Sequence, residues 1–128
     1  MTMNLEGFVP FNFEAGVPYV SVTNNGVTFN KAVVLKMKQA AHVVLLFDDA
    51  RKLMAVQACD EGKPNAVQFY KEKASGVLSV RWNSKDLLNT IQDMMGWDLS
   101  KKSFRIDGVL LKEENAMLFD LTQATELK

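Results

Sequence analysis

Two stretches of the chain present one order of patterns, and that recurrence constrains the fold more than any other feature. Tyr19-Val20-Ser21-Val22-Thr23 alternates apolar and polar residues around Val20 and Val22, and Leu78, Val80 and Trp82 alternate with Ser79 and Arg81. Period two is the mark of a strand with one buried face. In the first stretch Asn24-Asn25-Gly26 interrupts the alternation. An Asn-Gly pair tolerates the positive φ values of a type I′ turn, so Val27-Thr28-Phe29 is expected to return as a short strand. Asn30 can then cap the orphan amides of a helix start, with Ala32, Val33, Val34, Leu35 and Met37 supplying two or three turns. His42 to Phe47 and Leu53 to Ala58 are apolar runs on either side of Asp48-Asp49-Ala50-Arg51-Lys52, which reads as a hairpin. In the second stretch Asn83 or Ser84 caps the clearest helix of the chain. Its face is Leu87, Leu88, Ile91, Met94 and Met95, with Asp86 in the first turn and Gly96 at the stop. Ser103 to Leu111 and Ala116 to Thr122, around Lys112-Glu113-Glu114-Asn115, read as a second hairpin.

The fold class that follows is α+β: two β-α-β-β units, residues 19–58 and 77–122, in a mainly antiparallel sheet. With an arm at 1–18 and a connector at 59–76, they form one compact domain over residues 1–128. The connector collects turn formers and charges before Phe69 and Tyr70, which are expected to pack. Residue identity between the units is low. Internal duplication is one explanation of the shared order, and the frequency of β-α-β-β as a local arrangement is the other.

Chemistry-bearing residues are few. A single cysteine, Cys59, closes no intramolecular disulfide, and a single histidine, His42, supplies no zinc-type ligand pair. The two fall on opposite strands of the first hairpin, where an imidazolium would activate a thiol, but a small hydrophobe and a surface histidine is the favoured reading. Asp48-Asp49 and Asp60-Glu61 lack the regular spacing of a calcium loop. The dispersed glycines form no phosphate cradle. The expectation is a protein that is not an enzyme, with no cofactor and no metal. The arm has no basic opening and no apolar run of the ~7 to 15 residues a leader needs. No stretch approaches the ~20 apolar residues that span a bilayer. No membrane association and a cytoplasmic location are therefore expected.

From Val20 to Ala58 the order is strand, polar-polar-Gly turn, Val27-Thr28-Phe29, short helix from Asn30-Lys31, strand, acidic turn, strand. This resembles the AbrB and MazE swapped-hairpin family of DNA-binding proteins. Gly26, Val27, Phe29 and Lys31 fall on matching positions, Asp48-Asp49 on the acidic turn and Leu53 to Gln57 on the last strand. Asn30 stands where the family usually has proline, Lys38 to His42 lack its glycine, and Asn24-Asn25-Gly26-Val27 carries no basic residue. The resemblance implies a homodimer, or two such units in one chain, acting in transcription regulation. It implies contacts to double-stranded DNA from Asn24, Asn25, Thr28, Lys31 and Lys36.

The chain is formally neutral, with 15 basic and 15 acidic side chains. The sum conceals unlike parts. Residues 19–58 hold Lys31, Lys36, Lys38, Arg51 and Lys52 against Asp48 and Asp49, an excess of three positive charges, whereas residues 77–128 carry one net negative charge. A broadly basic surface is excluded and a local basic patch is not. The reading is thus a non-catalytic DNA-binding regulator or accessory protein. The alternative is a protein-interaction or structural module that engages another chain through a sheet edge and through Phe8, Phe11 and Phe13 of the arm.

Overall fold

The computed structural model describes residues 5, 7, 16–72 and 75–127. Phe8, Phe11 and Phe13 lie outside the described residues. Among the described residues nine strands and two α-helices follow one another: β1 (Tyr19–Thr23), β2 (Gly26–Phe29), α1 (Lys31–Lys36), β3 (His42–Asp48), β4 (Leu53–Ala58), β5 (Val67–Gln68), β6 (Val80–Trp82), α2 (Lys85–Met95), β7 (Ser103–Leu111), β8 (Ala116–Asp120) and β9 (Thr125–Leu127). All strand pairs are antiparallel. The class is α+β, and the order across the sheet is β5-β3-β4-β8-β7-β1-β2-β6, with β9 paired to β7.

Strand β7 carries the curl. Its first half pairs with β1 through Phe104 to Asp107, and its second half pairs with β8 through Gly108 to Leu111. At the changeover a Cβ on Gly108 would lie 2.8 Å from the Phe119 ring and 2.9 Å from the Met117 sulfur, so this position admits no side chain without displacing both. The sheet bends until its end strands approach one another. The indole N–H of Trp82 in β6 donates to the carbonyl of Gln68 in β5 at 3.2 Å, and the Phe69 and Trp82 rings stand edge to face at 6.0 Å.

Alternation decides what the curled sheet encloses. Val20, Val22, Val27, Phe29, Met54, Val56, Ile106, Met117 and Phe119 all point inward and are fully buried. Phe29 is the hub, with Trp82 at 5.1 Å, Phe69 at 5.3 Å and Phe119 at 5.8 Å between ring centroids. Phe69 and Tyr70 of the connector are buried, as expected. Trp97 stacks on Phe104 at 3.9 Å, while Met37, Met94 and Met95 pack on the same core.

The helices close the two ends. Helix α2 begins where β6 ends, capped by the Ser84 hydroxyl, which accepts the Leu87 N–H at 3.2 Å; Leu88 and Ile91 are buried, and Gly96 stops the helix in the left-handed conformation. Helix α1 follows β2 at the other end and spans six residues, fewer than two turns and shorter than the apolar pattern suggests. The Asn30 side chain caps it by accepting from Val33 N–H at 3.2 Å. The same oxygen accepts from Tyr19 N–H at 3.0 Å, tying the helix start to β1.

Two local details depart from the sequence reading. Strand β1 pairs to β2 with Thr23 opposite Gly26, so Asn24-Asn25 is the loop, and the positive φ (143°) falls on Gly26 alone rather than on an Asn-Gly pair. A Cβ at Gly26 would stand 2.7 Å from the Trp82 carbonyl oxygen, a main-chain atom that cannot swing away. Gly26→Ala is therefore expected to cost about 2–3 kcal/mol, from strain plus overpacking, and a chemical-denaturation midpoint measures it. Second, β5 and β9, of two and three residues, were not foreseen. In the β3–β4 turn, hydrogen bonds from the Arg51 side chain and N–H hold the Asp48 carboxyl below its usual range. That contribution is present at neutral pH and is lost as pH falls through the lowered value.

Candidate nucleic-acid interface

The β4 and β7 strands run parallel to β2, so their ends and the loops that follow meet α1 at one end of the curled sheet. Between them lies a cleft of about 240 Å³ lined by Lys36, Met37, Lys38, Ala58, Lys112 and Asn115, with Leu110 at its base. Three lysines from two distant parts of the chain thus share one hollow. Lys36 closes α1, Lys38 lies just past it, and Lys112 opens the β7–β8 turn. The ion pairs among the described residues join Arg51–Asp48, Lys52–Asp49, Lys101–Asp98, Lys102–Glu126 and Arg105–Asp107. None of them engages Lys31, Lys36, Lys38 or Lys112. Like charges gathered in a lining that holds no carboxylate favour an anion in the cleft.

The backbone that brings Lys38 to the cleft is unusual. The Lys38 N–H donates to the Leu35 carbonyl at 3.0 Å and the Gln39 N–H to the Val34 carbonyl at 2.9 Å, the paired bonds that commonly end a helix around a left-handed residue. That residue is usually glycine. Here Lys38 (φ 56°) and Gln39 (φ 55°) both adopt the left-handed conformation. The side chains accept the conformation at a cost of about 1 kcal/mol each. Lys38→Gly is accordingly expected to stabilise the fold by about 0.5–1 kcal/mol, raising the melting temperature, while removing one cation from the cleft.

The other residues assigned to DNA contact separate into two places. Lys31, exposed at the first position of α1, is on the same short helix as Lys36. Asn24 and Asn25 occupy the exposed β1–β2 turn at the opposite end of β2. Four residues of extended chain separate that turn from Asn30, roughly 13 Å. Thr28 lies between, half-buried and opposite Arg81 of β6. Arg81 in turn donates through Nη2 to the Asn25 carbonyl at 3.0 Å, which adds a cation to a turn that has none of its own. Lys38, Lys112 and Arg81 are the additions to the residues foreseen. Lys112 was hidden because, in sequence, it is one charge in a polar turn. Only the β4–β8 and β7–β8 pairings carry it to α1.

His42 and Cys59 do come together, through a main-chain hydrogen bond from Cys59 N–H to the His42 carbonyl at 3.1 Å. Among the described residues no group of three or more His, Cys, Asp or Glu is placed to hold a metal ion, and no helix is long and apolar enough to cross a membrane. Compared with family models, with curated proteins and with solved structures, the chain has no match.

Proposed function

We propose that this protein is a non-catalytic DNA-binding regulator or accessory factor of the swapped-hairpin kind, and that it holds duplex phosphates at the α1 end. The observation that carries the reading is the convergence of Lys36, Lys38 and Lys112 on one cleft with no ion-pair partner among the described residues. Lys31, five residues before Lys36 and so about 140° around α1 from it, adds a cation at the start of the helix. Asn24, Asn25 and Thr28, joined by Arg81, supply a second, mainly polar contact at the far end of β2. Phosphate contacts would set affinity and register, and the amide side chains would reach base edges.

The same proposal includes descent of the two units from one. Its support is the strand order: exchanging β1 with β5, β2 with β6, β3 with β7 and β4 with β8 maps every ladder among these eight strands onto another except β1–β2, whose counterpart β5–β6 is joined by the Trp82–Gln68 bond alone. Each exchange also carries α1 onto α2, which close opposite ends. The pairs β2–β6 and β4–β8 join residues 19–58 to residues 77–122 within one chain, so two units in a single chain suffice to complete the sheet. A homodimer would double the lysine surface without being needed for folding.

The test is a fluorescence-anisotropy titration of a labelled duplex at two salt concentrations, with Lys36→Ala and Lys112→Ala alongside the parent chain. Both lysines are expected to matter equally although they lie in different units. Loss from Lys36→Ala with none from Lys112→Ala would remove the cleft as the contact.

A further inference from the structure

The curled sheet has one opening among the described residues, and its chemistry differs from that of the lysine cleft. Strand β5 pairs with β3 alone and β6 with β2 alone, so the two edges that face each other carry no ladder between them. A single side-chain bond, Trp82 N–H to the Gln68 carbonyl, spans the gap. Unpaired strand edges present free N–H and C=O groups, and proteins ordinarily cover or blunt them. These edges are short, two residues in β5 and three in β6, and two hollows flank the Trp82 bridge. One, of about 470 Å³, has an apolar floor of Leu45, Val67, Trp82 and Leu87. The other, of about 390 Å³, is bounded by Phe69 and Val80 and by the Lys71 side chain. Arg81 borders both.

No carboxylate lines either hollow. Arg81 and Lys71 take part in none of the ion pairs among the described residues, and Arg81 is anchored by its bond to the Asn25 carbonyl. Val67 is 43% exposed beside them. Free main-chain edges, an apolar floor, one anchored cation and a second exposed one together define an occupant. We infer that the β5–β6 opening receives an extended peptide segment of a partner protein, rich in acidic residues alternating with apolar ones. Its main chain ladders on the free edge of β6, every second side chain enters the hollow over Trp82, and its carboxylates face Arg81 and Lys71. A two-residue period matches this use of a strand edge, because alternate side chains of an added strand fall on one face. Nucleic acid would use the cations but neither the edge nor the apolar floor.

The experiment is selection of a displayed library of random octapeptides on the full-length protein, followed by anisotropy titration of the most enriched peptide. Enrichment of sequences alternating Asp or Glu with Val, Ile, Leu or Phe is the expected result. Arg81→Glu and Val67→Glu, both at exposed positions and each checked by its thermal melt, are expected to weaken that peptide by about tenfold or more through charge opposition. A proline at the centre of the peptide, which removes a ladder donor, is expected to do the same. The inference is overturned if no peptide is enriched, if basic peptides are enriched, or if binding survives both Val67→Glu and the central proline. Val67→Glu, which touches no residue assigned to DNA contact, separates this inference from duplex binding through Lys36 and Lys112; Arg81→Glu is read on the peptide alone, because Arg81 also adjoins the Asn24-Asn25 turn.

Discussion

Phe29→Ala is expected to destabilise the protein by about 3–5 kcal/mol, the range for emptying a fully buried aromatic site. For a chain of this length that lowers the melting temperature by roughly 10–20 °C. Phe29 is completely buried and its ring meets Phe69, Trp82 and Phe119 at 5.1 to 5.8 Å. Those rings come from the connector, β6 and β8, so the substitution loosens both edges of the β5–β6 opening together with the centre of the sheet. Edge-to-face geometry adds about 0.5–1.5 kcal/mol per pair beyond area burial, which places the loss in the upper part of the range. Phe29→Leu refills most of the volume and is expected to cost less than half as much. Equal losses for Leu and Ala would mean that ring geometry rather than volume holds this site. A loss below about 1 kcal/mol for Ala would contradict the packing described, since a collapsed or solvated site would then be replacing the core.

The second large effect concerns salt. If Lys31, Lys36, Lys38 and Lys112 neutralise four phosphates, the logarithm of the binding constant falls with the logarithm of salt at a slope near −3.6, roughly 150-fold in affinity between 50 and 200 mM. Each Lys→Ala substitution at this end should lower the magnitude of that slope by about 0.9 and weaken binding to all duplexes alike. Asn25→Ala should behave differently, leaving the slope unchanged and reducing discrimination between sequences, because an amide side chain reads base edges and releases no counterion. Lys38→Gly separates stability from binding, with a higher melting temperature and a shallower slope in the same variant. Such opposition is expected where a functional side chain occupies a backbone position that glycine would hold more cheaply.

Local order was legible in the sequence and long-range convergence was not. Helix α2 was evident from its apolar spacing, Ser84 and Gly96, and each of these acts as expected. Asn30 was recognised as a cap, although its second bond, to Tyr19 N–H, depends on β1 lying alongside. The hairpins β3–β4 and β7–β8 were evident because in each an apolar run stands on either side of a polar turn. Strands β5 and β9 carry no such signal: Val67-Gln68 and Thr125-Glu126-Leu127 are exposed, and their pairing is set by what the sheet brings beside them. The candidate site shows the same division. Lys31 and Lys36 could be named because a short helix holds them, whereas Lys112 joins Lys36 only through strand pairings across more than fifty residues. Left-handed Lys38 carries no signal in the sequence. Its conformation follows from the hydrogen bonds that end α1, which composition does not reveal.

The central claim is that lysines from both units hold DNA phosphates in one cleft, and a double-substitution cycle on duplex affinity tests it most directly. The parent, Lys36→Ala, Lys112→Ala and the double variant would be titrated with one labelled duplex between 50 and 200 mM salt, each first shown to melt like the parent. The predicted result is a parent slope near −3.6, a loss of about 0.9 in its magnitude from each single variant and about 1.8 from the double. Undetectable binding by the parent at 50 mM salt, or a slope that neither substitution changes, would contradict it.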